Sequence, residues 1–187
     1  MSIAIIPARG GSRRIPGKNI KEFHGKPIIC YSIETAKESG LFESVIVSTD
    51  DHDIAEVAKA CEAEVRWRST EFCENGVGTQ EVMAHELMGI AVHPDAIACC
   101  IYPCAPLLTC YELKQAFHIV STLKAPYVFA TTNNGKDAGQ FYMGRSKTFV
   151  REISLSVPGV MAIVMDTIDI NTPEDWEKAE ALYESRK

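Results

Sequence analysis

Ile3-Ala4-Ile5-Ile6-Pro7 runs directly into Ala8-Arg9-Gly10-Gly11-Ser12-Arg13-Arg14-Ile15-Pro16-Gly17-Lys18-Asn19. The first part is a short, continuous apolar run, as expected of a strand whose sheet is covered by helices on both faces. The second part is that strand's exit, and it gathers the cations Arg9, Arg13, Arg14 and Lys18 around two adjacent glycines. Parallel α/β sheets bind ligands beyond the carboxyl ends of their strands. Adjacent glycines let backbone N–H groups turn toward an anion. The stretch therefore predicts an α/β fold with a polyphosphate site at its first strand exit.

Downstream, short β-like runs alternate with helical stretches, the pattern of βα units on a largely parallel sheet. Strands are predicted over Ile3 to Ile6, Ser44 to Ser48, Glu64 to Trp67, Ala96 to Ile101, Tyr127 to Thr131, Gln140 to Met143 and Val160 to Val164. Helices are predicted from Pro27 (at the first helical position) to Ser39, ending at Gly40, and from Asp51 or His52 to Ala60. Others run from Thr79 to about Val92, from Thr109 to Leu123 and from Pro173 to about Ser185, the last opened by Thr172-Pro173-Glu174-Asp175. The exits to inspect for chemistry are Pro7 to Lys21, Thr49 to Asp51, Arg68 to Thr79, Tyr102 to Leu107, Thr132 to Gly139 and Asp166 to Thr172.

The chain has 187 residues, enough for one domain, taken as 1–187. With 19 basic and 25 acidic side chains its formal charge is −6, which argues against a nucleic-acid partner, since phosphate backbones are gripped by a surplus of Lys and Arg. No apolar run suits a membrane span and no cleavable leader is visible, so no membrane partner and a cytoplasmic location are expected. Seven cysteines lack zinc-site spacing and are expected to be mostly small buried hydrophobes in a reducing compartment. Cys99 and Cys100, adjacent on a strand, point to opposite faces and do not easily share a metal. The histidines pair with no acid or cysteine at ligand-like spacing and are read as surface or packing residues.

Two familiar phosphate motifs fail. A P-loop needs a glycine where Ser12 stands and a Ser or Thr where Asn19 stands. Gly10-Gly11 does not give the G-x-G-x-x-G of dinucleotide-binding folds.

The run Ile3 to Ile20, with Gly25-Lys26-Pro27 and Val47-Ser48-Thr49-Asp50-Asp51, resembles the CMP-sialic acid synthetase family. Cys100-Ile101-Tyr102-Pro103, Ala105-Pro106-Leu107 and Asp137-Ala138-Gly139-Gln140-Phe141-Tyr142 resemble its pseudaminic acid branch. The resemblance covers nearly the whole chain. It implies a three-layer α/β/α domain with a mostly parallel, Rossmann-like sheet of the nucleotide-diphospho-sugar transferase kind. It also implies a reaction in which CTP and a nonulosonic acid give the CMP-sugar and pyrophosphate.

Carried over by position, Ala8, Arg9, Gly10, Gly11, Ser12, Arg13, Lys18 and Asn19 hold the nucleotide, joined by Arg68 and Thr79, while Tyr102, Gln140 and Tyr142 belong to the substrate site. Lys18, Arg9 and Asp169 carry the catalytic work. Gln140 and Tyr142 are expected on one strand face toward the sugar, with Phe141 packed inward. Mg2+ is the implied cofactor, held by Asp169 and, where the family has a second acid, by Asn171. An amide oxygen accepts a metal contact but brings no charge. Of Asp50 and Asp51, capping of the next helix is favoured over a contact with ribose.

Three departures stand out. Between Thr132 and Asp137 only Asn133, Asn134, Gly135 and Lys136 remain, a turn-like run where the branch carries an arm that contacts the sugar and reaches a partner subunit. A homodimer is thus expected to be weakened. Asn171 replaces an acid, and Cys104 stands where a small hydroxyl residue is usual. Two readings follow: an active CMP-sugar synthetase with a trimmed sugar site, or a CTP-binding homologue with weak or no turnover. A 2-keto-3-deoxyoctonate cytidylyltransferase is disfavoured, because Tyr102-Pro103-Cys104 lacks that group's metal acid.

Overall fold

The opening run forms β1 (Ser2–Pro7), the third strand of a seven-stranded sheet, with Ile5 and Ile6 fully buried. Burying each such side chain is worth about 1.5–3 kcal/mol, so this strand anchors the fold. The computed structural model describes residues 1–74 and 76–186; Asn75, inside the 68–79 exit, and Lys187, the end of the 1–187 domain, lie outside the described residues.

Beside β1 lie β4 (Ser44–Thr49) and β6 (Ile97–Ile101), both parallel to it, and β5 (Glu64–Trp67) extends the sheet beyond β4. On the other side β8 (Asp137–Arg145) runs antiparallel to β6 and to β7 (Tyr127–Thr131), and β9 (Met161–Val164) closes the edge parallel to β7. The sheet is mostly parallel, as expected, with β8 reversed because a short hairpin feeds it. Thr132 donates its N–H to the Lys136 carbonyl at 2.8 Å and Gly135 takes φ +77, so residues 132–136 join β7 and β8 directly.

Helices cover both faces. Helices α1 (Ile28–Glu38), α2 (His52–Ala60) and α4 (Cys110–His118) pack on one face through Ile33, Ile54 and Leu113, against Val47, Ile101 and Phe141. Helices α3 (Thr79–Gly89) and α5 (Ser146–Val150) cover the other through Met83, Leu87 and Phe149, against Ile3, Ile5 and Cys100. Helix α6 (Pro173–Glu184) packs Trp176 and Ala179 on Phe23 and Tyr31 in a third cluster. Its start is as expected, with the Thr172 hydroxyl accepting the Asp175 N–H and proline in the first turn. Thr109 caps α4 and Glu112 bonds back to it, a capping box.

Several boundaries differ from expectation. Pro27 is extended (φ −55, ψ 134) and ends β3 (Lys26–Pro27), which pairs with β2 (Glu22–Phe23), so α1 begins one residue later. That hairpin turns through His24 and Gly25, both at positive φ, and its two-residue strands are too short to show a period. Helix α3 stops at Gly89, with Ala91 in the left-handed region, and the 109–123 helix changes to a π turn over Ile119–Leu123. The cysteines need a correction. Cys99 and Cys100 do face opposite clusters, but Cys30 and Cys61 form a disulfide, with Cα atoms 6.0 Å apart. The packing of α1 beside α2 brings them together across 31 residues, a distance no local spacing reports. No helix among the described residues is long and apolar enough to cross a membrane.

Candidate active site

After β1 the chain cannot continue as a strand, because glycines and cations follow it. Ala8 still donates to the Ser48 carbonyl and is fully buried, so it serves the fold through its backbone and core packing. At Gly10 an added Cβ would collide with the Asp51 carboxylate, so only glycine fits that close approach. Asp51 caps α2, accepting from the Asp53 and Ile54 amides at 2.9 and 3.1 Å, as expected. Asp50 does not cap. Its Oδ1 accepts the Gly10 N–H at 2.9 Å.

The cations then divide. Arg9 turns toward the 68–79 exit, donating to the Cys73 and Glu74 carbonyls at 3.3 and 3.4 Å. Lys18, placed by a short turn of helix at Lys18–Ile20, donates Nζ to the Ile170 carbonyl at 2.8 Å. Arg14 donates to the Asn171 Oδ1 at 2.8 Å. Ser12 and Arg13 are carried on the partly to fully exposed rim of the loop. Asn19 is buried and ties the loop to itself, Nδ2 donating to the Arg9 carbonyl at 2.9 Å while Oδ1 accepts the Cys104 thiol at 3.4 Å. Burial pushes that thiol up to about 12, with Lys18 acting the other way.

Asp169 lies opposite Lys18. It sits on Gly139, where an added Cβ would stand 2.7 Å from its Oδ1, and it accepts the Asn171 Nδ2 at 2.5 Å. Burial raises its pKa, Asn171 and Lys18 oppose the shift, and Asp137 and Asp175 add to it. A half-desolvated carboxylate with acidic neighbours suits a divalent cation, which such oxygens hold together with phosphate oxygens and water. The Asn171 carbonyl, which accepts from Arg14, would join such a donor set only by exchanging that bond.

Beside this cluster is a cavity of about 250 Å3 lined by Thr79, Gln80, Met83, Tyr102, Tyr127, Tyr142, Phe149 and Leu155. Thr79 is the first residue of α3, and its hydroxyl lies 3.1 Å from the Tyr102 hydroxyl. Burial pushes the Tyr102 phenol up to about 12. Tyr142 donates to Asp137 Oδ2, and Asp137 Oδ1 accepts the Gly139 N–H at 2.9 Å, so Asp137 links the cavity to the Asp169 cluster. Gln140 parts company with Tyr142. It is 1% exposed, its Nε2 donates to the Ala138 and Ile168 carbonyls, and its Oε1 has no partner. The β6–β8 register keeps Phe141 in the core as expected, but the Gln140 side chain is folded under the 168 segment and does not line the cavity.

Arg68 is nearly buried and spends two donors on Ser48, at 3.0 Å to Oγ and 2.8 Å to the carbonyl. Burial lowers its pKa, while Cys73, Glu86 and Asp50 favour its charge. Ser48 in turn donates to Glu86 at 2.6 Å, and Glu86 also accepts Arg66 at 2.8 Å. Sequence reading missed this network, together with Gln80, Tyr127, Phe149 and Asp137. Glu86 did leave a signal, an acid on the apolar Val82-Met83-Leu87 stripe of a helix.

A cation loop facing a carboxylate at parallel strand exits, with an acceptor-sized cavity alongside, defines a nucleotidyltransferase of the α/β kind. Comparison with known proteins narrows this. Residues 3–151 match the family described as Cytidylyltransferase, and the chain belongs to that family. It is 33% identical to the pseudaminic acid cytidylyltransferase of Campylobacter jejuni, over 97% of this chain and 96% of that protein. It is 27% identical to the CMP-N,N'-diacetyllegionaminic acid synthase of Legionella pneumophila over the same shares. The Campylobacter alignment spans 222 positions against 187 residues here, so at least 35 positions have no counterpart in this chain. A solved structure of CMP:2-keto-3-deoxy-manno-octonic acid synthetase complexed with CTP superposes with a TM-score of 0.79 at 16% identity, covering 100% of this chain and 99% of that one, which shows the shared fold.

Proposed function

We propose that the protein transfers the CMP moiety of CTP to a nine-carbon 2-keto sugar acid, pseudaminic acid or a close relative, releasing pyrophosphate. The observation that carries this reading is the placement of Lys18 between the glycine loop and the Asp169–Asn171 segment, with the aromatic cavity adjoining. In the reaction the acceptor's anomeric hydroxyl attacks the α-phosphorus, the new O–P bond forms as the bond to the β-phosphate bridging oxygen breaks, the hydroxyl proton passes to solvent, and pyrophosphate departs. Positioning and charge neutralisation supply most of the rate of such transfers.

Lys18 and Arg9 flank the loop and neutralise phosphate charge, and Ser12 and Arg13 extend that surface. Arg68 and the amino end of α3 at Thr79 adjoin the nucleoside side. Asp169 and Asn171 would hold Mg2+, which supplies Lewis-acid neutralisation of phosphate oxygens. Among the described residues the cavity's lining holds no lysine or arginine, so the acceptor's carboxylate points toward the loop cations, and its apolar walls suit methyl and acetamido groups. Tyr102, kept protonated by burial, donates to an acceptor oxygen, while Tyr142, whose hydroxyl hydrogen goes to Asp137, offers its oxygen to an acceptor hydroxyl.

Pyrophosphate release from CTP and Mg2+, with pseudaminic, N-acetylneuraminic and legionaminic acids offered separately, tests this reading. Release with pseudaminic or legionaminic acid supports it. The direct 132–136 turn and the neutral Asn171 favour a second reading, a CTP-binding homologue without turnover. CTP binding with no release from any of the acids would establish that one.

A further inference from the structure

Asp50 lies at the β4 exit and its side chain is exposed in the cleft, yet it performs no helix capping, which falls to Asp51. Its Oδ1 takes the Gly10 N–H at 2.9 Å, while the Asp51 side chain blocks the other side of the same glycine. Asp50 also neighbours Arg68 and Cys73, both beside the segment that receives Arg9. The two acids thus grip the loop at one residue, between Arg9 and the exposed Gly11-Ser12 rim. Ser12 folds its own N–H onto the Gly10 carbonyl at 2.9 Å, so the turn pivots on the gripped residue.

We infer that Asp50 is a positioning residue for the polyphosphate loop, acting through the Gly10 amide and not through the ligand. The inference rests on reading that loop as the triphosphate site. It has a chemical corollary: the Gly10 amide is committed to a protein carboxylate and the Ser12 amide to the Gly10 carbonyl, so phosphate oxygens are met by the Gly11 amide, the Ser12 hydroxyl and the cationic side chains. An alternative use of an exposed carboxylate beside a nucleotide is to accept a ribose hydroxyl, and the two uses make different demands on the ligand.

The test is titration calorimetry of CTP, dCTP and inorganic tripolyphosphate, with magnesium, into wild type, Asp50→Ala and Asp50→Asn. A positioning role weakens all three ligands by a similar factor in Asp50→Ala, about tenfold or more for a lost charge-assisted bond, and Asp50→Asn, which keeps an acceptor oxygen, stays within about threefold. Unchanged binding in Asp50→Ala, a loss confined to CTP, or an Asn variant as weak as the Ala variant would each overturn it. An independent readout needs only the folded wild type: hydrogen exchange of the Gly10 amide, which is slowed if the tether exists and fast if it does not. Wild type that binds tripolyphosphate but releases no pyrophosphate from CTP defeats the proposed reaction and leaves this inference standing; wild type that binds no tripolyphosphate overturns the inference itself.

Discussion

The two halves of the cleft are held by different kinds of partner. In the loop half, Lys18, Arg9 and Asn19 all donate to main-chain carbonyls, of Ile170, of Cys73 and Glu74, and of Arg9. In the cavity half, side chain mostly meets side chain: Thr79 with Tyr102, Gln80 with Tyr127 as well as with the Ile153 carbonyl, Tyr142 with Asp137, and Tyr142 stacked near Phe129. Carbonyls persist through any substitution short of a change in backbone, so these acceptors in the loop half are kept wherever the fold is kept. The cavity half depends on residue identity, and it is the half in which proteins of one fold can diverge.

The sharpest break of that comparison is Lys18→Ala. Removing the loop's best-placed cation should lower kcat/KM for CTP by about 100-fold to 1000-fold, the scale of losing one preorganised charge donor; a loss below fivefold in a pyrophosphate-release assay would refute its role. Leu155→Trp, which fills the cavity, should raise the acceptor KM by about tenfold while CTP affinity stays within twofold. A parallel loss of CTP affinity would mean that the halves are not separable.

Asn171→Asp sharpens the loop half from the other side. A second carboxylate beside Asp169 should strengthen the magnesium dependence of CTP binding by about three- to tenfold, and an unchanged magnesium titration rejects the assigned donor set. The smallest effect concerns the thiols. Burial raises the pKa of Cys99, Cys100 and Cys104, which lowers their thiolate fraction at a given pH, and the thiolate is the form that alkylates. At about pH 8 the native protein should therefore label first at half-exposed Cys110 and more slowly at Cys73, whose pKa burial and Asp50 raise. Cys104 should resist until pH approaches 12. Early labelling of Cys104, read by peptide mapping, would show the loop open where Asn19 is now closed on it.

The asymmetry also accounts for what could be read in advance. The strand-exit loop was legible because glycines, cations and an apolar strand are adjacent in the chain, and Thr172-Pro173 announced α6 through cap chemistry that is equally local. Tyr127, Phe149 and Leu155 gave no such sign: each looks like ordinary core, and only the folding of α5 and the 151–160 segment under α3 turns them toward one cavity. Gln140 misled because alternation reports only a sheet face, and the 168 segment that covers its side chain is brought there by the fold. The Cys30–Cys61 link and the Ser48–Glu86 network depend on contacts between separate elements, which no short spacing encodes.

The tight link from β7 to β8 carries a consequence of its own. Its tip is exposed and polar, and its two backbone–backbone hydrogen bonds, like those of the Thr132 and Asn134 side chains, close within residues 132–136. Loop-closure entropy rises by only about 0.6 kcal/mol for each doubling of length, so extra chain can enter or leave at this point with the sheet undisturbed. The hairpin is therefore a natural graft point: a longer segment spliced in there would leave the sheet, and the loop and cavity beside it, in place.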